Sequence, residues 1–484
     1  MRKRQWHLDG SGERIQRREF LALGGLSILA AASGSVQAKE ANLAPRKPNI
    51  IFILGDDLGY GHLGCYGQKK ILTPNIDQLA VEGMKFTNAY SGGTVCAPSR
   101  SVLMTGLHTG HTPIRANGGG NTLADEDFTV VELLKQAGYA TGGFGKWGLG
   151  LGDAPGRPNR KGFEEFVGYL HQVHAHFYYP YFLWHNREKL MLSENEGRKR
   201  GRYSHDVIVE YAMKFIRENR DRPFFCYLPV TIPHVELVVP EDSEKPYHGK
   251  FPRISIPDPR KGYIGSEDAY VTFAGMISRL DRDVGRIMAL LKDLNMDEQT
   301  VVFFTSDNGA QGGPWQPLIN FFDGTGSLRG QKGNFYEGGI RVPLIARWPG
   351  HIARGSVSKH ACHFADMMPT LAELAQVNPP KRSDGISFVP TLRGKEDQQK
   401  MHEILYWEMS AQRAARMGDW KLVQPKRVSP PELYNLATDA GETNNVAKDH
   451  PKVVERMMSL MDAAHTPPRP MDNGKPVGIN DFVR

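Results

Sequence analysis

Short apolar runs and longer amphipathic segments alternate along most of the chain. Segments with helical periodicity, such as residues 129–136 and 270–294, lie between runs whose near-continuous hydrophobicity is typical of strands buried on both faces. These runs cover residues 49–54, 140–144, 223–230 and 300–304. Alternating strands and helices predict an α/β fold, with a large, mixed, mostly parallel sheet flanked by helices.

The pattern changes near residue 395. Short strand-like pieces follow at residues 403–406 and 420–423, and a helical segment covers residues 452–464. This change predicts a small C-terminal α+β subdomain with an antiparallel sheet. The predicted organisation is therefore a leader of residues 1–38, a main domain of residues 39–395 and a C-terminal subdomain of residues 396–484.

Polar residues follow each of the four buried runs, and ligands in α/β sheets bind beyond the carboxyl ends of the strands. We therefore expect these polar side chains to converge on one site. They are Asp56, Asp57, Lys146, His234, Asp307 and Asn308.

The acidic members of this set predict a metal site. The adjacent carboxylates of Asp56 and Asp57 would repel each other unless a cation neutralised them. With Asp307 and Asn308 they form an all-oxygen set, which suits Ca²⁺ or Mg²⁺ and disfavours zinc. The alternative is that these residues are ordinary turn or cap residues, where Asp and Asn are common.

Composition and charge exclude some classes of protein. The 484 residues carry a net charge of +7, which falls to +4 when residues 1–38 are removed. Because no dense Lys/Arg face with interleaved aromatic residues is present, we expect no nucleic-acid partner. The four cysteines are also too scattered for a disulfide framework.

Residues 1–38 are predicted to be a targeting segment. Arg17 and Arg18 precede a mildly apolar run rich in Ala and Gly, which ends at Ala38 in a small-residue cleavage site. The arginine pair resembles a bacterial twin-arginine export signal, which predicts the twin-arginine export machinery as a partner and a periplasmic or secreted location. A soluble N-terminal helix and an uncleaved anchor are the alternatives.

The segment from Cys96 to Gly106 has features of a reactive helix N-terminus. Pro98 can occupy the first turn of a helix, so Cys96 would lie where free N–H groups favour an anion. Arg100, one turn further on, can reach the same point. The chemistry of these residues alone leaves two alternatives for Cys96, a thiolate nucleophile and a small buried residue.

Residues 96–106 resemble the Cys-x-Pro-Ser-Arg-x-x-Leu-x-Thr-Gly signature of the type I sulfatases in the alkaline phosphatase superfamily. The resemblance extends over roughly residues 47–450. In that family the cysteine is oxidised to formylglycine by a maturation enzyme, which the resemblance implies as a partner here. It also implies one calcium ion, held by Asp56, Asp57, the modified Cys96, Asp307 and Asn308.

The same resemblance assigns the other catalytic roles. Arg100 would orient the aldehyde hydrate, while Lys146, Lys332 and His234 would bind sulfate and assist the leaving group. These residue types suit the reaction, because a cation and two lysines stabilise the charge that develops as the S–O bond breaks. A sugar alkoxide also needs a proton, for which His234 is the expected donor.

One position departs from the family pattern. The family often has Lys-x-His, whereas here Lys146 is followed by Trp147 and Gly148. The base that this histidine would supply is therefore predicted to come from elsewhere, with His108 and His111 as candidates.

Aromatic residues and histidines crowd residues 171–185. One interpretation is a packed core segment, and the other is a wall on which sugar rings stack. Asn117 is a further candidate on the side of the leaving group. The residues predicted to bind substrate are His111, Arg115, His174 and His176.

The expected activity is hydrolysis of sulfate monoesters on carbohydrates, with galactose or N-acetylgalactosamine units preferred. A generic arylsulfatase is the first alternative, and a phosphatase or phosphodiesterase of the same superfamily is the second. A non-catalytic protein that binds sulfated glycans is a third, although the complete set of predicted catalytic residues argues against it.

Overall fold

The structure is a computed structural model that describes residues 47–118, 122–257 and 262–470. The predicted leader, residues 1–38, lies outside the described residues. The described strands are β1 (Asn49–Gly55), β2 (Met84–Phe86), β3 (Ala89–Tyr90), β4 (Ala140–Lys146), β5 (Glu165–Tyr169), β6 (Phe182–His185), β7 (Glu188–Met191), β8 (Phe224–Pro229), β9 (Thr300–Ser306), β10 (Leu344–Arg347), β11 (Ser356–Ser358), β12 (Cys362–His363), β13 (Leu405–Met409), β14 (Gln412–Met417), β15 (Trp420–Gln424) and β16 (Glu432–Asn435).

The helices lie mainly between the strands of the first three quarters of the chain. Among the described residues, no helix combines the length and the apolar character needed to cross a membrane. The described helices are α1 (Pro74–Glu82), α2 (Cys96–Thr105), α3 (Val130–Gln136), α4 (Ser204–Glu218), α5 (Glu241–Glu244), α6 (Ala269–Asp293), α7 (Gln316–Phe322), α8 (Glu337–Ile340), α9 (Met367–Leu374), α10 (Val389–Leu392) and α11 (Pro451–Ala463).

A ten-stranded sheet forms the centre of the molecule, in the order β11-β2-β10-β9-β1-β8-β4-β5-β6-β7. Its five middle strands, from β9 to β5, are parallel, whereas β10 and β6 run antiparallel to their inner neighbours. The predicted fold class, a mixed and mostly parallel sheet flanked by helices, is confirmed.

The two faces of strand β1 explain why its sequence is continuously apolar. Ile51 and Ile53 pack in one cluster with residues of α1, α4 and α6, while Ile50 and Phe52 pack with residues of α2, α3 and α9. All seven residues of β1 are buried. Burial of each such aliphatic or aromatic side chain stabilises the fold by roughly 1.5–3 kcal/mol.

The antiparallel sheet predicted for the C-terminal region is present as β13-β14-β15-β16, and Met457 and Met461 of α11 pack against it. This sheet contacts the main domain, because Trp407 donates its indole N–H to the carbonyl of Ser91 over 2.9 Å. The described residues from Lys47 to Pro470 belong to one compact unit. The boundary at residues 395 and 396 stays a prediction.

Candidate active site

The carboxyl ends of β1 and β9 bring the predicted metal ligands together. These two strands are parallel neighbours, and their register places Gly55 opposite Ser306. The residues that follow therefore meet, and the backbone N–H of Asp57 donates to Oδ1 of Asp307 over 3.1 Å. Asp56, Asp57, Asp307 and Asn308 are all buried.

The amide of Asn308 completes this oxygen-rich cluster. Its Nδ2 donates to Oδ1 of Asp57 over 2.7 Å, while its Oδ1 is buried with no hydrogen-bond partner in the part of the chain that the structure describes. A buried carbonyl oxygen rarely lacks a partner. Three carboxylates and this free amide oxygen fit a hard divalent cation such as Ca²⁺.

Two lysines bind different carboxylates of the cluster. Lys146, the last residue of β4, donates to Oδ2 of Asp56 over 2.6 Å. Lys332, in the loop after α7, donates to both carboxylate oxygens of Asp57 at 2.6 and 2.7 Å. Both predicted sulfate-binding lysines therefore reach the cluster, although they come from distant parts of the chain.

Cys96 is the first residue of α2, as its sequence context predicted. Its Sγ lies 3.4 Å from Oδ1 of Asp56 and 3.4 Å from Nζ of Lys332. The next backbone N–H, that of Ala97, donates to Oδ1 of Asn117 over 3.0 Å. Asn117, a candidate on the leaving-group side, thus caps the helix that carries Cys96.

Arg100 contacts the acidic cluster rather than only the start of its own helix. Its Nε and Nη2 donate to Oδ2 of Asp307 at 3.0 and 2.8 Å, and its Nη1 donates to the carbonyl of Lys146 over 2.6 Å. The guanidinium therefore fixes Asp307 relative to the end of β4. Because it is fully buried, this pair would be costly to break.

Burial and charge set the proton affinities in the cluster. Burial raises the pKa of Asp56, but the charges of Lys146, His234 and Arg100 outweigh it and leave that pKa well below its usual range. Burial and the charge of Asp56 raise the pKa of Asp307 to about 6. Additional positive charge is needed to keep all of these carboxylates ionised, which again fits a divalent cation.

The thiol of Cys96 responds to the same environment. Burial, with the charge of Asp56, raises its pKa to about 12. In the absence of a cation, this environment therefore favours the neutral thiol.

His234 lies beside the acidic cluster and is buried. Its Nε2 is 3.2 Å from Oδ2 of Asp57, and its ring stacks on that of His176 with centroids 4.6 Å apart. Burial, with the charge of Lys332, lowers the pKa of His234 well below its ordinary value. His176 in turn contacts the hydroxyl of Tyr263 through Nδ1 at 2.9 Å. No sequence motif pointed to Tyr263.

Gln172 fills the space next to Gly148, where the family pattern often has a histidine. Gly148 has a φ of +76°, and a Cβ atom there would collide with Nε2 of Gln172. That nitrogen is buried and has no hydrogen-bond partner among the described residues. Sequence reasoning missed Gln172, because its proximity to Gly148 depends on how the loop after β5 folds back.

His108 and His111 form a separate group with Asp384. Their rings stack with centroids 4.3 Å apart, and Nδ1 of His111 lies 2.9 Å from Oδ2 of Asp384. Whether either histidine serves as the base stays a prediction. Nearby, Arg115 donates to Oε1 of Glu408 over 2.7 Å.

Arg115 also lines a surface cavity of about 640 Å³. The wall of this cavity carries two further arginines, Arg427 and Arg469, together with His465. Glu408 also lines this cavity and pairs with Arg115 and Arg427, while Arg469 pairs with Asp127.

His174 does not occupy the position expected of a residue that binds substrate. It is fully buried, its Nε2 lies 2.9 Å from the carbonyl oxygen of Phe182, and its ring packs against Tyr169. Phe177 and Tyr178 are buried as well. Much of segment 171–185 is therefore packed core, and His176 is the predicted sugar contact that lies beside His234.

Comparison with known proteins agrees with this arrangement. A family model described as Sulfatase matches residues 48–377, and a model described as N-sulphoglucosamine sulphohydrolase, C-terminal, matches residues 331–465. N-acetylgalactosamine-6-O-sulfatase of Bacteroides thetaiotaomicron is 30% identical over 526 residues, covering 92% of this chain and 98% of that protein. Human arylsulfatase A is 31% identical, with coverage of 91% and 92%.

A solved structure agrees as well. The crystal structure of Ps i-CgsB in complex with k-i-k-neocarrahexaose has a TM-score of 0.73 to this chain at 28% identity. The similarity covers 86% of this chain and 92% of that one. The resemblance inferred from residues 96–106 is thus confirmed at the level of family and fold.

Proposed function

Because this chain belongs to the sulfatase family, we propose that it hydrolyses sulfate monoesters of carbohydrates, with a formylglycine made from Cys96 and a bound calcium ion. The observation that carries the proposal is the position of Cys96. It begins α2 with its Sγ 3.4 Å from both Asp56 and Lys332, inside a buried cluster of three carboxylates. A formylglycine side chain at this position would contact the sulfate group and the metal ion at the same time.

The calcium ion would be held by Asp56, Asp57, Asp307 and Asn308, and it supplies a Lewis acid that stabilises negative charge on the sulfate oxygens. The hydrated aldehyde of formylglycine at position 96 would supply a hydroxyl group as the nucleophile. Lys146 and Lys332 lie on either side of the carboxylates, so that each can donate to a sulfate oxygen when the cation takes the carboxylates. Arg100 keeps Asp307 in place.

His234 is the proton donor to the leaving oxygen in this proposal. Burial holds its ring neutral in the free protein, and a bound sulfate ester would raise its pKa, because an adjacent anion favours the imidazolium. The stacked ring of His176 fixes the orientation of His234. Protonation of the leaving oxygen matters most for an alkoxide, which is a poorer leaving group than a phenolate.

The substrate is proposed to be a sulfated galactose or N-acetylgalactosamine unit. The similarity to the N-acetylgalactosamine-6-O-sulfatase supports the sugar class, and the cavity beside Arg115 offers room for such a unit. A generic arylsulfatase is the competing proposal, supported by the similarity to human arylsulfatase A.

One experiment tests modification and activity together. Peptide mass spectrometry should show residue 96 lighter than cysteine by the mass of one sulfur and two hydrogens less that of one oxygen, which is close to the mass of a water molecule, in protein co-expressed with a maturation enzyme. Released sulfate from monosulfated galactose, N-acetylgalactosamine and glucosamine should exceed that from nitrophenyl sulfate. Full activity with unmodified cysteine would contradict the assignment of formylglycine at position 96. A clear preference for the aryl ester would contradict the proposal of a carbohydrate substrate.

The predicted export route is a further part of the proposal. The arginine pair at Arg17 and Arg18 supports passage through the twin-arginine machinery to the periplasm or beyond. Replacement of both arginines by lysine should leave the activity in the cytoplasm, as measured by cell fractionation. Unchanged export would contradict the twin-arginine route.

A further inference from the structure

A second cluster of metal-ligating side chains lies outside the sulfatase site. Its three members are His363 at the end of β12, Asp366 just before α9, and His402 in the segment that leads into β13. Ligand atoms of these residues all lie within 4.8 Å of one another. We propose that His363, Asp366 and His402 bind a divalent transition-metal ion of the zinc type, which joins the segment between β12 and α9 to the segment that leads into β13.

The distances between the ligand atoms of this cluster are close to those in a site that holds a metal ion. Nδ1 of His363 lies 3.8 Å from Oδ2 of Asp366, and Nε2 of His402 lies 2.6 Å from Oδ1 of the same carboxylate. Two ligand atoms of a tetrahedral zinc site, each about 2.0–2.1 Å from the ion, are about 3.4 Å apart. Small side-chain rotations would therefore bring both histidines and the carboxylate into coordination.

The ligand atoms are buried and partly unsatisfied. The side chains of His363 and Asp366 are 2% and 0% exposed. Nδ1 of His363 has no hydrogen-bond partner among the residues that the structure describes. A buried imidazole nitrogen without a partner is costly, and a metal ion would satisfy it.

His360 supplies a further imidazole from the same segment. It precedes His363 by three residues, it is 8% exposed, and neither of its ring nitrogens has a hydrogen-bond partner within the described ranges. Burial lowers the pKa of His360, and the nearby Asp366 opposes this change. The ring nitrogens of His360 are not among the ligand atoms that lie within 4.8 Å of one another, so the fourth position of a zinc site would be filled by water or by a movement of His360.

Two backbone N–H groups hold the carboxylate of Asp366 in place, in the way that outer-shell hydrogen bonds hold metal ligands. Its Oδ2 accepts the backbone N–H of His363 and its Oδ1 accepts that of Ile386, both over 2.8 Å. These bonds fix the carboxylate while leaving it free to bind an ion. A simple ion pair between Asp366 and His402 would not explain why the ring nitrogens of His360 and Nδ1 of His363 are buried without hydrogen-bond partners among the described residues.

The surface provides an entry path. His402 lines a cavity of about 360 Å³, together with Met401, Leu405 and Arg416. An ion can reach Nε2 of His402 from this cavity and then the buried carboxylate behind it. Nitrogen ligands favour zinc or a related ion over calcium, so this site and the oxygen-rich active site would select different metals.

Cobalt binding to untagged, chelator-treated protein tests the proposal. One equivalent of Co²⁺ should give the intense visible bands of a tetrahedral complex, and Zn²⁺ should displace it. His402→Gln and His363→Gln should lower the affinity at least tenfold. His351→Gln, at an exposed histidine, and Asp307→Asn, in the active site, should leave it unchanged.

The outcomes separate this site from the active site. Binding abolished by Asp307→Asn, or unaffected by both cluster variants, would overturn the proposal, as would wild-type protein with no tetrahedral bands. If the His363 variant does not fold, zinc-edge X-ray absorption of the wild type decides. A spectrum with at least two imidazole ligands would support the site, whereas a spectrum without imidazole ligands would overturn the proposal.

Discussion

Two clusters of ionisable side chains in this molecule differ in the atoms they offer. The cluster at the ends of β1 and β9 contains Asp56, Asp57 and Asp307, and its neutral partner is an amide. The cluster beside β12 has one carboxylate, that of Asp366, surrounded by imidazoles. Both are buried, so each needs a cation or a proton, and the donor atoms decide which cation fits.

The two clusters also differ in their surroundings. The oxygen-rich cluster is bordered by Lys146, Lys332 and Arg100, which leaves it positive enough to attract sulfate once a divalent ion is added. The histidine-rich cluster has no such lysine pair among the described residues and lies between the end of β12 and the segment that leads into β13. The first arrangement suits catalysis on an anion, whereas the second suits a structural role.

The largest expected effect is at the oxygen-rich cluster. Asp307→Asn should lower kcat/KM by about 10³-fold or more, because it removes both a metal ligand and the partner of Arg100. Calcium content, measured by elemental analysis, should fall in parallel. Asp293→Asn, at an exposed residue, is the matched control. Retained activity with zinc in place of calcium would contradict the assignment.

Replacement of an active-site lysine should cause the second largest loss of activity. Lys146→Met should lower kcat by roughly 10²–10³-fold, the usual cost of removing one group that stabilises transition-state charge. The loss should be similar for sugar and aryl esters, because Lys146 acts on sulfate and not on the leaving group. Lys69→Met, at an exposed lysine, serves as the control. A loss confined to KM would instead show that Lys146 only binds the ground state.

The base that replaces a histidine at Gly148 should have an intermediate effect. His111→Ala or His108→Ala should lower turnover by about 10²-fold if that residue moves a proton in the rate-limiting step. Gln172→Ala is the comparison, because Gln172 occupies the space beside Gly148. Near wild-type turnover in both histidine variants would show that neither is the base, and a loss in the glutamine variant would assign Gln172 a positioning role, because an amide does not accept a proton.

The smallest effect on catalysis should come from the histidine-rich cluster. A chelator that removes zinc but spares calcium should leave kcat unchanged and lower Tm by a few degrees, because a bound ion stabilises only the folded state. Thermal unfolding with and without the chelator measures this shift. The His402→Gln variant should show no shift. A fall in activity at constant Tm would mean that the two clusters are not independent.

Local patterns determined much of the fold. The seven residues of β1 read as a buried strand because both of its faces pack on helices, and the same reason holds for β8 and β9. The contiguous residues from Cys96 to Gly106 identified the family by themselves. Residues at strand ends, such as Asp57 and Asp307, were predictable as neighbours because parallel strands end at a common edge.

The tertiary structure alone decided the contacts that depend on loops. The sequence placed His174 and His176 together in one aromatic segment, yet the first is buried core and the second stacks on His234. The pairing of Asp366 with His402 has the same cause. Loop paths are set by long-range packing, and no periodicity in the sequence records that packing. Strand ends follow from the sheet, whereas loop contacts follow only from the whole fold.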